Sequence, residues 1–315
     1  MMAPLSTIWL AALLCLTTAS QGIAATSSWS GKSAENHDDP AYAAFVRGAY
    51  LTALKEAQKA AARGEPQAHT LIGRLYAEGL GVPQDHKEAA AWYEKGAKLG
   101  DIDSWFALGL LLVEGKGVKK NPKRAADLFE KAAKKGHVQA QYNLALLYAD
   151  GRGRPENLKE AASWLEKAAE GDSAQAQYDL SALYAAGIGL DKDPGIAARW
   201  LARAAKSGHS TAQVEYGIML FKGRGVDKDP AKAAQLFQTS AEKGNPVAQN
   251  RLARLYAFGL VLEPNPIEAA KWHIIARQNG INDARLEIFL AKLTAEQRLS
   301  AEKAADEWQM GDLFR

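Results

Sequence analysis

Residues 140–151 read AQYNLALLYADG, and this stretch carries the pattern that decides the fold. Ala140, Leu144, Leu147 and Tyr148 recur at i, i+4, i+7 and i+8, so they lie on one face of an α-helix. Gly151 follows at the point where a helix commonly ends in a left-handed residue. The stretch therefore predicts an amphipathic helix with a defined end.

The same pattern returns along the chain with a period of 36 residues. One column of residues opens each such helix: Ala68, Ser104, Ala140, Ala176, Ala212, Ala248 and Ala284. A second column, spaced identically, ends it: Gly79, Gly115, Gly151, Gly187, Gly223 and Gly259. Several columns in register over six units indicate a repeat architecture, in which each unit buries its apolar face only by stacking on its neighbours.

A second helix is predicted in every unit. It is announced by a column that contains only Asp and Asn, the residues favoured as N-caps: Asp85, Asn121, Asn157, Asp193, Asp229 and Asn265. Four of these caps are followed by Pro at the first helical position, where the missing N–H costs nothing. Paired alanines and a Trp or Leu column then form the buried face, which explains the high alanine content as close helix packing.

The ends of the array are expected to be atypical. Residues 41–66 match the second part of a unit in phase and are predicted to form an N-terminal half repeat. Six full repeats follow at 67–282, and residues 283–315 are predicted to form C-terminal capping helices. Thr294 and Gln297 form a capping-box pattern that opens the last helix. This charged helix is expected to shield the final apolar face.

The N-terminus predicts export. Residues 1–25 are interpreted as a signal peptide, because the apolar run Ile8–Leu16 has signal-peptide length and is too short to span a bilayer comfortably. Residues 26–40 are polar and are predicted to be a disordered leader. Cys15, the only cysteine, lies inside the apolar run, so the mature chain would contain no thiol. The expected location is periplasmic or secreted, with no membrane span after signal cleavage; a retained anchor is the alternative.

Composition and motifs argue against chemistry at a catalytic site. The net charge of +3 over 315 residues is too small to indicate a nucleic-acid partner. The Gly-x-Gly loops lack the preceding strand and third glycine of a dinucleotide site, and no two histidines have the i, i+4 spacing of a helical zinc site. His137 and His209 are expected to face solvent at turns. We therefore predict no catalytic residue, no metal, no cofactor and no enzyme activity.

The repeated pattern resembles the Sel1-like repeat. Residues 68–102 carry Ala-His-Thr-Leu-Ile-Gly-Arg-Leu-Tyr-Ala-Glu-Gly-Leu-Gly-Val, then Trp92-Tyr93 and Gly100, and five further stretches repeat the pattern. The resemblance implies an all-α fold, a right-handed α-solenoid of stacked helix pairs related to tetratricopeptide repeats. It also implies a monomeric adaptor that binds a protein or peptide on its concave face, in envelope signalling or regulation. Val261 replaces the second loop glycine of the sixth unit, which is expected to alter that loop.

Binding residues are expected where the repeat varies. On the first helices, one variable column reads Leu71, Ala107, Asn143, Asp179, Glu215, Arg251, and another reads Arg74, Leu110, Leu146, Ala182, Ile218, Arg254. Trp105 and Phe106 replace the usual Gln and Tyr, and aromatic residues often concentrate binding energy. The candidate partner-binding residues are Arg74, Trp105, Phe106, Asn143, Asp179, Glu215, Arg251 and Arg254. Ordinary drift at exposed positions, or packing for the aromatic pair, are the alternatives.

Two other functions remain open at this point. One is a structural component of an envelope or polysaccharide-export assembly, which would use the same scaffold. The other is a β-lactamase-like enzyme, because some cysteine-rich relatives are described in that way. The absence of cysteine from the mature chain disfavours the enzyme.

Overall fold

The computed structural model describes residues 39–312. The predicted signal peptide, Cys15 and most of the predicted leader lie outside the described residues, as do residues 313–315. The described residues form sixteen α-helices: α1 Pro40–Val46, α2 Tyr50–Ala62, α3 Pro66–Glu78, α4 His86–Lys98, α5 Ile102–Glu114, α6 Pro122–Lys134, α7 Val138–Asp150, α8 Leu158–Glu170, α9 Ala174–Ala186, α10 Pro194–Lys206, α11 Ser210–Lys222, α12 Pro230–Glu242, α13 Pro246–Phe258, α14 Pro266–Gln278, α15 Ala284–Ala291 and α16 Ala295–Asp312.

Six pairs of thirteen-residue helices, from α3–α4 to α13–α14, repeat with a spacing of 36 residues. The all-α class of stacked helix pairs with this period is confirmed. The helices belong to two compact units. Unit 1 contains residues 39–171 and the loop 188–191, and unit 2 contains residues 172–187 and 192–312.

The second helix of each pair begins at the predicted caps. All six Asp and Asn residues of that column accept backbone N–H bonds with their side chains; Asp85 Oδ1, for example, lies 2.8 Å from the amide nitrogen of Lys87. The cap's own N–H donates to the carbonyl of a residue near the end of the first helix, as Asn121 does to Leu112 at 2.8 Å. The cap residue therefore holds the loop between the two helices in place through both its side chain and its backbone N–H.

The first helices also have side-chain caps, which were not predicted from the sequence. Asp101, His137, Ser173, His209 and Asn245 form a column at 36-residue spacing, and each accepts a backbone N–H at its helix start. The expectation that both histidines face solvent is wrong for His137, whereas His209 is half-buried. His137 is buried, and its Nδ1 lies 3.1 Å from the amide nitrogen of Ala140; His209 makes the same bond to Ala212.

The glycine turns have the predicted left-handed backbone. Gly79 has φ +69°, and its counterparts at the ends of the other first helices lie between +60° and +77°. The second loop glycine is also left-handed, with φ +72° at Gly81. Val261 occupies this position in the sixth repeat with φ +80°, so the expectation of an altered loop is wrong: the valine adopts the glycine's conformation.

Inside each pair, helix contact depends on matched residue volumes. A Cβ added to Gly109 would lie 2.5 Å from the Phe129 ring, and one added to Gly217 would lie 2.7 Å from Phe237. The third and fourth repeats have Leu in the aromatic column and Ala145 or Ser181 in the glycine column. Large side chains therefore face glycine, and smaller ones face alanine or serine, which keeps the helix contact filled.

The helices at each end of the described chain pack within their own unit. In unit 1, the first helix begins at Pro40, and its Ala41 and Ala44 are buried. In unit 2, Thr294 and Gln297 exchange backbone-to-side-chain hydrogen bonds of 3.0 and 3.1 Å, so the predicted capping box is confirmed. Ala301 and Ala305 of α16 are fully buried, and Trp308 meets Trp272 edge to face at 5.6 Å. Among residues 39–312, no helix is both long enough and apolar enough to cross a membrane.

Candidate functional site

The first-helix face of unit 1 contains a cleft of about 180 Å³, which we call the unit 1 cleft. It lies between α3 and α5, with α4 contributing part of its wall. Its lining residues are Thr70, Arg74, Ala77, Glu78, His86, Tyr93, Asp103, Phe106, Ala107, Leu110, Leu111, Glu114, Lys116 and His137. The cleft therefore includes the two variable columns that the sequence marked as candidate binding positions.

Charges in the unit 1 cleft are paired within the cleft itself. Arg74 Nε lies 2.7 Å from Glu78 Oε1 and its guanidinium stacks 4.8 Å from the Phe45 ring centroid. Lys116 Nζ lies 2.8 Å from Glu114 Oε2. His137 Nε2 lies 3.4 Å from Asp103 Oδ1. The cleft thus offers a surface of mixed charge with little excess of either sign.

A buried polar cluster forms the floor of the unit 1 cleft. Thr70 Oγ1 donates to Asp101 Oδ2 at 2.5 Å and also contacts Ser104 Oγ, while Asp101 accepts the Ser104 backbone N–H at 2.7 Å. Burial raises the pKa of the Tyr93 hydroxyl well above its ordinary value. Thr70, Asp101 and Ser104 satisfy one another, so this cluster supports the start of α5.

Unit 2 contains a second cleft, of about 130 Å³, between α11 and α13, which we call the unit 2 cleft. Its apolar wall consists of Ile218, Phe221, Phe237, Leu255 and Leu260. Its three polar lining residues are all cationic: Lys222, Arg251 and Arg254. The columns that line it are the same ones that line the unit 1 cleft, but their chemistry is different.

Only one of these cations has a carboxylate partner among the described residues. Arg254 Nε lies 2.5 Å from Asp283 Oδ2, which also accepts from Asn250 Nδ2 at 2.9 Å. Burial raises the pKa of Asp283, but the hydrogen bonds from Arg254 and Asn250 outweigh burial and hold it well below its ordinary range. Burial and the neighbouring Arg254 charge lower the pKa of Arg251, and the charge of Asp283 only partly opposes them.

The structure brings some predicted site residues together within each unit. Arg74 and Phe106 line the unit 1 cleft, and Arg251 and Arg254 line the unit 2 cleft. Phe106 packs on Phe129 and, at a centroid distance of 4.5 Å, on His137.

Trp105 has a structural contact that explains its identity. Its Nε1 donates to the Ala97 carbonyl at 2.9 Å, eight residues back. In three other repeats the glutamine of the same column makes this bond, for example Gln141 to the Ala133 carbonyl at 3.2 Å. Trp105 therefore replaces the glutamine N–H donor, and it does not line the unit 1 cleft.

The remaining predicted residues are engaged locally and line neither cleft. In unit 1, Asn143 Nδ2 donates to the Gln139 carbonyl at 2.8 Å. In unit 2, Asp179 accepts from Gln175 Nε2 at 3.0 Å. Glu215 accepts from the Tyr178 hydroxyl at 3.0 Å, and burial raises the pKa of this carboxyl. These side chains lie on the variable face, but each has a partner within its own unit.

Sequence reasoning missed Lys222 and Leu260 as cleft residues. The column that contains Lys222 is variable: Glu78, Glu114, Asp150, Ala186, Lys222 and Phe258 end the six first helices. Its change from acidic to cationic and apolar residues was a signal in the sequence. The described residues contain no cluster of three or more potential metal ligands.

Comparison with known proteins identifies the repeat. Sel1 repeats match residues 66–101, 106–137, 138–173, 174–209, 210–245 and 246–281. A Sel1 repeat protein from Oxalobacter formigenes is 32% identical, with a TM-score of 0.68, over 76% of this chain and 98% of that one. A protective antigen with an SLR fold from uropathogenic Escherichia coli is 30% identical, with a TM-score of 0.66, over 85% of this chain.

This chain spans 60% of the length of the Escherichia coli antigen. No curated protein matches the sequence. The six matched repeats and the shared fold nevertheless agree with the helix pairs, caps and glycine turns described above. The chain therefore belongs to the Sel1 repeat family.

Proposed function

We propose that this protein is an exported adaptor that binds a protein or peptide partner through the exposed face of its first helices. Sel1 repeats commonly mediate protein–protein interaction, and the family is typically a non-catalytic scaffold. The observation that carries the proposal is the position of the two clefts. In each unit, residues of the two variable columns line the cleft beside packing residues such as Phe237 and Leu255, whose columns change less between repeats.

The chemistry of the clefts supports recognition of a polypeptide. Each combines an apolar wall with charged groups at its edge, which is the usual composition of a binding site that fixes both affinity and orientation. Export to the periplasm or beyond is part of the proposal and rests on the apolar run of the first 25 residues.

Site-specific photocrosslinking in intact cells tests the proposal. A benzophenone amino acid replaces Ala107 in the unit 1 cleft, Leu260 in the unit 2 cleft or, as the matched control, exposed Ala91 on the second helix α4. We expect a discrete crosslinked protein from at least one cleft position and none from Ala91. Osmotic-shock fractionation of the same cells tests export. Absence of any cleft-specific adduct would contradict partner binding, and retention in the cytoplasm would contradict export.

A further inference from the structure

The two clefts occupy equivalent places in the repeat but differ in charge. In unit 1, the first helices that border the cleft end in Glu78 and Glu114. In unit 2, the corresponding helices end in Lys222 and Phe258. The variable column that contains Ala107 in unit 1 contains Arg251 in unit 2. The positions of Glu78, Glu114 and Ala107 in unit 1 correspond to Lys222, Phe258 and Arg251 in unit 2. Unit 2 therefore has two cations and an aromatic ring in place of two acidic residues and an alanine.

Arg251 lines the unit 2 cleft. Its Nε is buried and donates no hydrogen bond to any residue in the range 39–312. A buried donor without a partner is costly, and a guanidinium is best satisfied by a carboxylate that accepts two N–H bonds. Nearby Asp283 is already held by Arg254, Asn250 and the start of α15. Among the described residues, Arg251 therefore forms no ion pair, although the charge of Asp283 acts on it beyond ion-pair distance.

Apolar surface lies beside these cations. Leu260 lines the cleft and is 42% exposed, and the neighbouring Phe258 and Val261 are 45% and 48% exposed. A cavity of about 150 Å³ holds a benzene-sized group, so a cleft of this size fits one aromatic or branched aliphatic side chain. The unit 2 cleft thus combines a pocket for one apolar side chain with two cations, Arg251 and Lys222, that form no ion pair with any described residue.

We propose that the unit 2 cleft binds an acidic peptide segment of a partner protein. An apolar side chain of the segment enters the cleft against Ile218 and Leu255, while adjacent Asp or Glu carboxylates pair with Arg251 and Lys222. This inference rests on the proposed function and specifies the chemistry of its partner. It is carried by charge complementarity, since the equivalent unit 1 cleft pairs its cations internally.

A displayed library of random dodecapeptides is the probe. The purified protein selects from the library, with counter-selection against the double variant Arg251→Met/Lys222→Glu. Arg251→Met keeps the aliphatic stem and removes the unpaired charge. Arg199→Met is the control, because Arg199 is an exposed arginine on the second helix α10. Thermal melts verify that each variant is folded.

We expect enriched peptides to carry Asp or Glu within three positions of Phe, Trp, Leu or Ile. Their affinity, measured by fluorescence polarisation, should fall at least tenfold for Arg251→Met and remain unchanged for Arg199→Met. It should also weaken with added salt, because the pairs are partly exposed. Enrichment of basic or uncharged peptides, or no enrichment over the double variant, overturns the inference.

The crosslinking experiment separates this inference from the proposed function. If a partner is captured in cells and Arg251→Met does not weaken its binding, the acidic-segment inference fails and the adaptor function stands. If neither cleft yields a specific adduct, the adaptor function itself fails.

Discussion

The second loop glycine has the same backbone conformation in both units but a different environment. In unit 1, a Cβ at Gly117 would lie 2.2 Å from the carbonyl oxygen of His86, and one at Gly153 would lie 2.3 Å from that of Pro122. In unit 2, a Cβ at Gly225 would meet, among the residues that the structure describes, only the Met219 methyl group, at 3.6 Å. Glycine is thus required twice over in unit 1, by backbone conformation and by space, but only by conformation in unit 2.

This difference explains why a valine is tolerated at one end of the array. Val261 occupies the second loop position in unit 2 with φ +80° and is half exposed. A β-branched residue is strained there, yet the open surroundings of Gly225 show that a unit 2 loop can have room for a side chain. The second loop position is therefore closely packed in unit 1 and open at Gly225 in unit 2, and substitutions at this position can distinguish the two environments.

The largest effect is expected for Gly117→Ala in unit 1. The new Cβ would collide with backbone atoms of His86, and the residue would remain left-handed, so the loop must move. We expect a loss of about 3 kcal/mol in the free energy of unfolding, from backbone strain plus overpacking. Urea denaturation followed by circular dichroism measures it. If Gly117→Ala lost less free energy of unfolding than Gly225→Ala in unit 2, the close approach of Gly117 to the His86 backbone would be contradicted.

Gly225→Ala is that counterpart, and it tests conformation alone. The added methyl group has space, and only the left-handed φ of +71° is unfavourable. We expect a loss of about 1 kcal/mol, measured in the same urea series. If both substitutions cost the same, the loops of the two units are packed alike and the comparison fails.

The sequence predicted the parts of the fold that depend on local backbone chemistry. Asp85 and its equivalents could be identified as caps because only Asp and Asn occupy the column, and Gly79 could be identified as a helix end because a left-handed residue is needed there. These features repeat every 36 residues, and repetition separates them from chance.

The first-helix caps were missed because their column is chemically mixed. Asp101, Ser173 and Asn245 are ordinary cap residues, but His137 and His209 stand between them and obscure the pattern. The 36-residue spacing of these five residues was the available signal.

The sequence indicated which face of the first helices varies between repeats, but it did not indicate the two clefts on that face. The variable columns include Arg74, Arg251 and Arg254, which line the two clefts, and their role in binding a partner stays a prediction. The sequence alone could not show whether Trp105 has a structural or a binding role, because its hydrogen bond to the Ala97 carbonyl depends on the packing of α4 against α5. The depth of a cleft depends on the side chains of several neighbouring helices, and the residues of a single column do not determine it.

A third prediction concerns the cap of α11 in unit 2. Burial lowers the pKa of His209, whose Nδ1 accepts the Ala212 N–H and whose Nε2 contacts Gln175 Oε1 at 3.1 Å. Because the folded pKa is depressed, this contribution to stability is present above the unfolded value of about 6.5 and is lost as pH falls through the lower folded value. The expected loss resembles that of one helix cap, about 1 kcal/mol.

His209→Asn isolates this effect, since asparagine caps a helix without titrating in this range. Urea midpoints between pH 7.5 and pH 5 should fall less for the variant than for the wild-type protein. His137→Asn in unit 1 controls for replacing an imidazole by an amide at a cap. An unchanged pH slope in His209→Asn would show that other groups, such as Glu215 beyond Tyr178, dominate the titration.

The smallest effect is expected for Val261→Gly, and its sign is the informative part. Glycine relieves the left-handed strain of the β-branched residue but makes the unfolded chain more flexible, so we expect a gain of only about 0.5 kcal/mol. Thermal melting with the wild-type protein as reference measures the shift, and Val261→Ala separates branching from φ. A loss of stability on Val261→Gly would mean that the exposed valine makes packing contacts worth more than its strain. The sixth loop would then resemble the closely packed loops of unit 1. The contrast between the two units would rest on Gly225 alone.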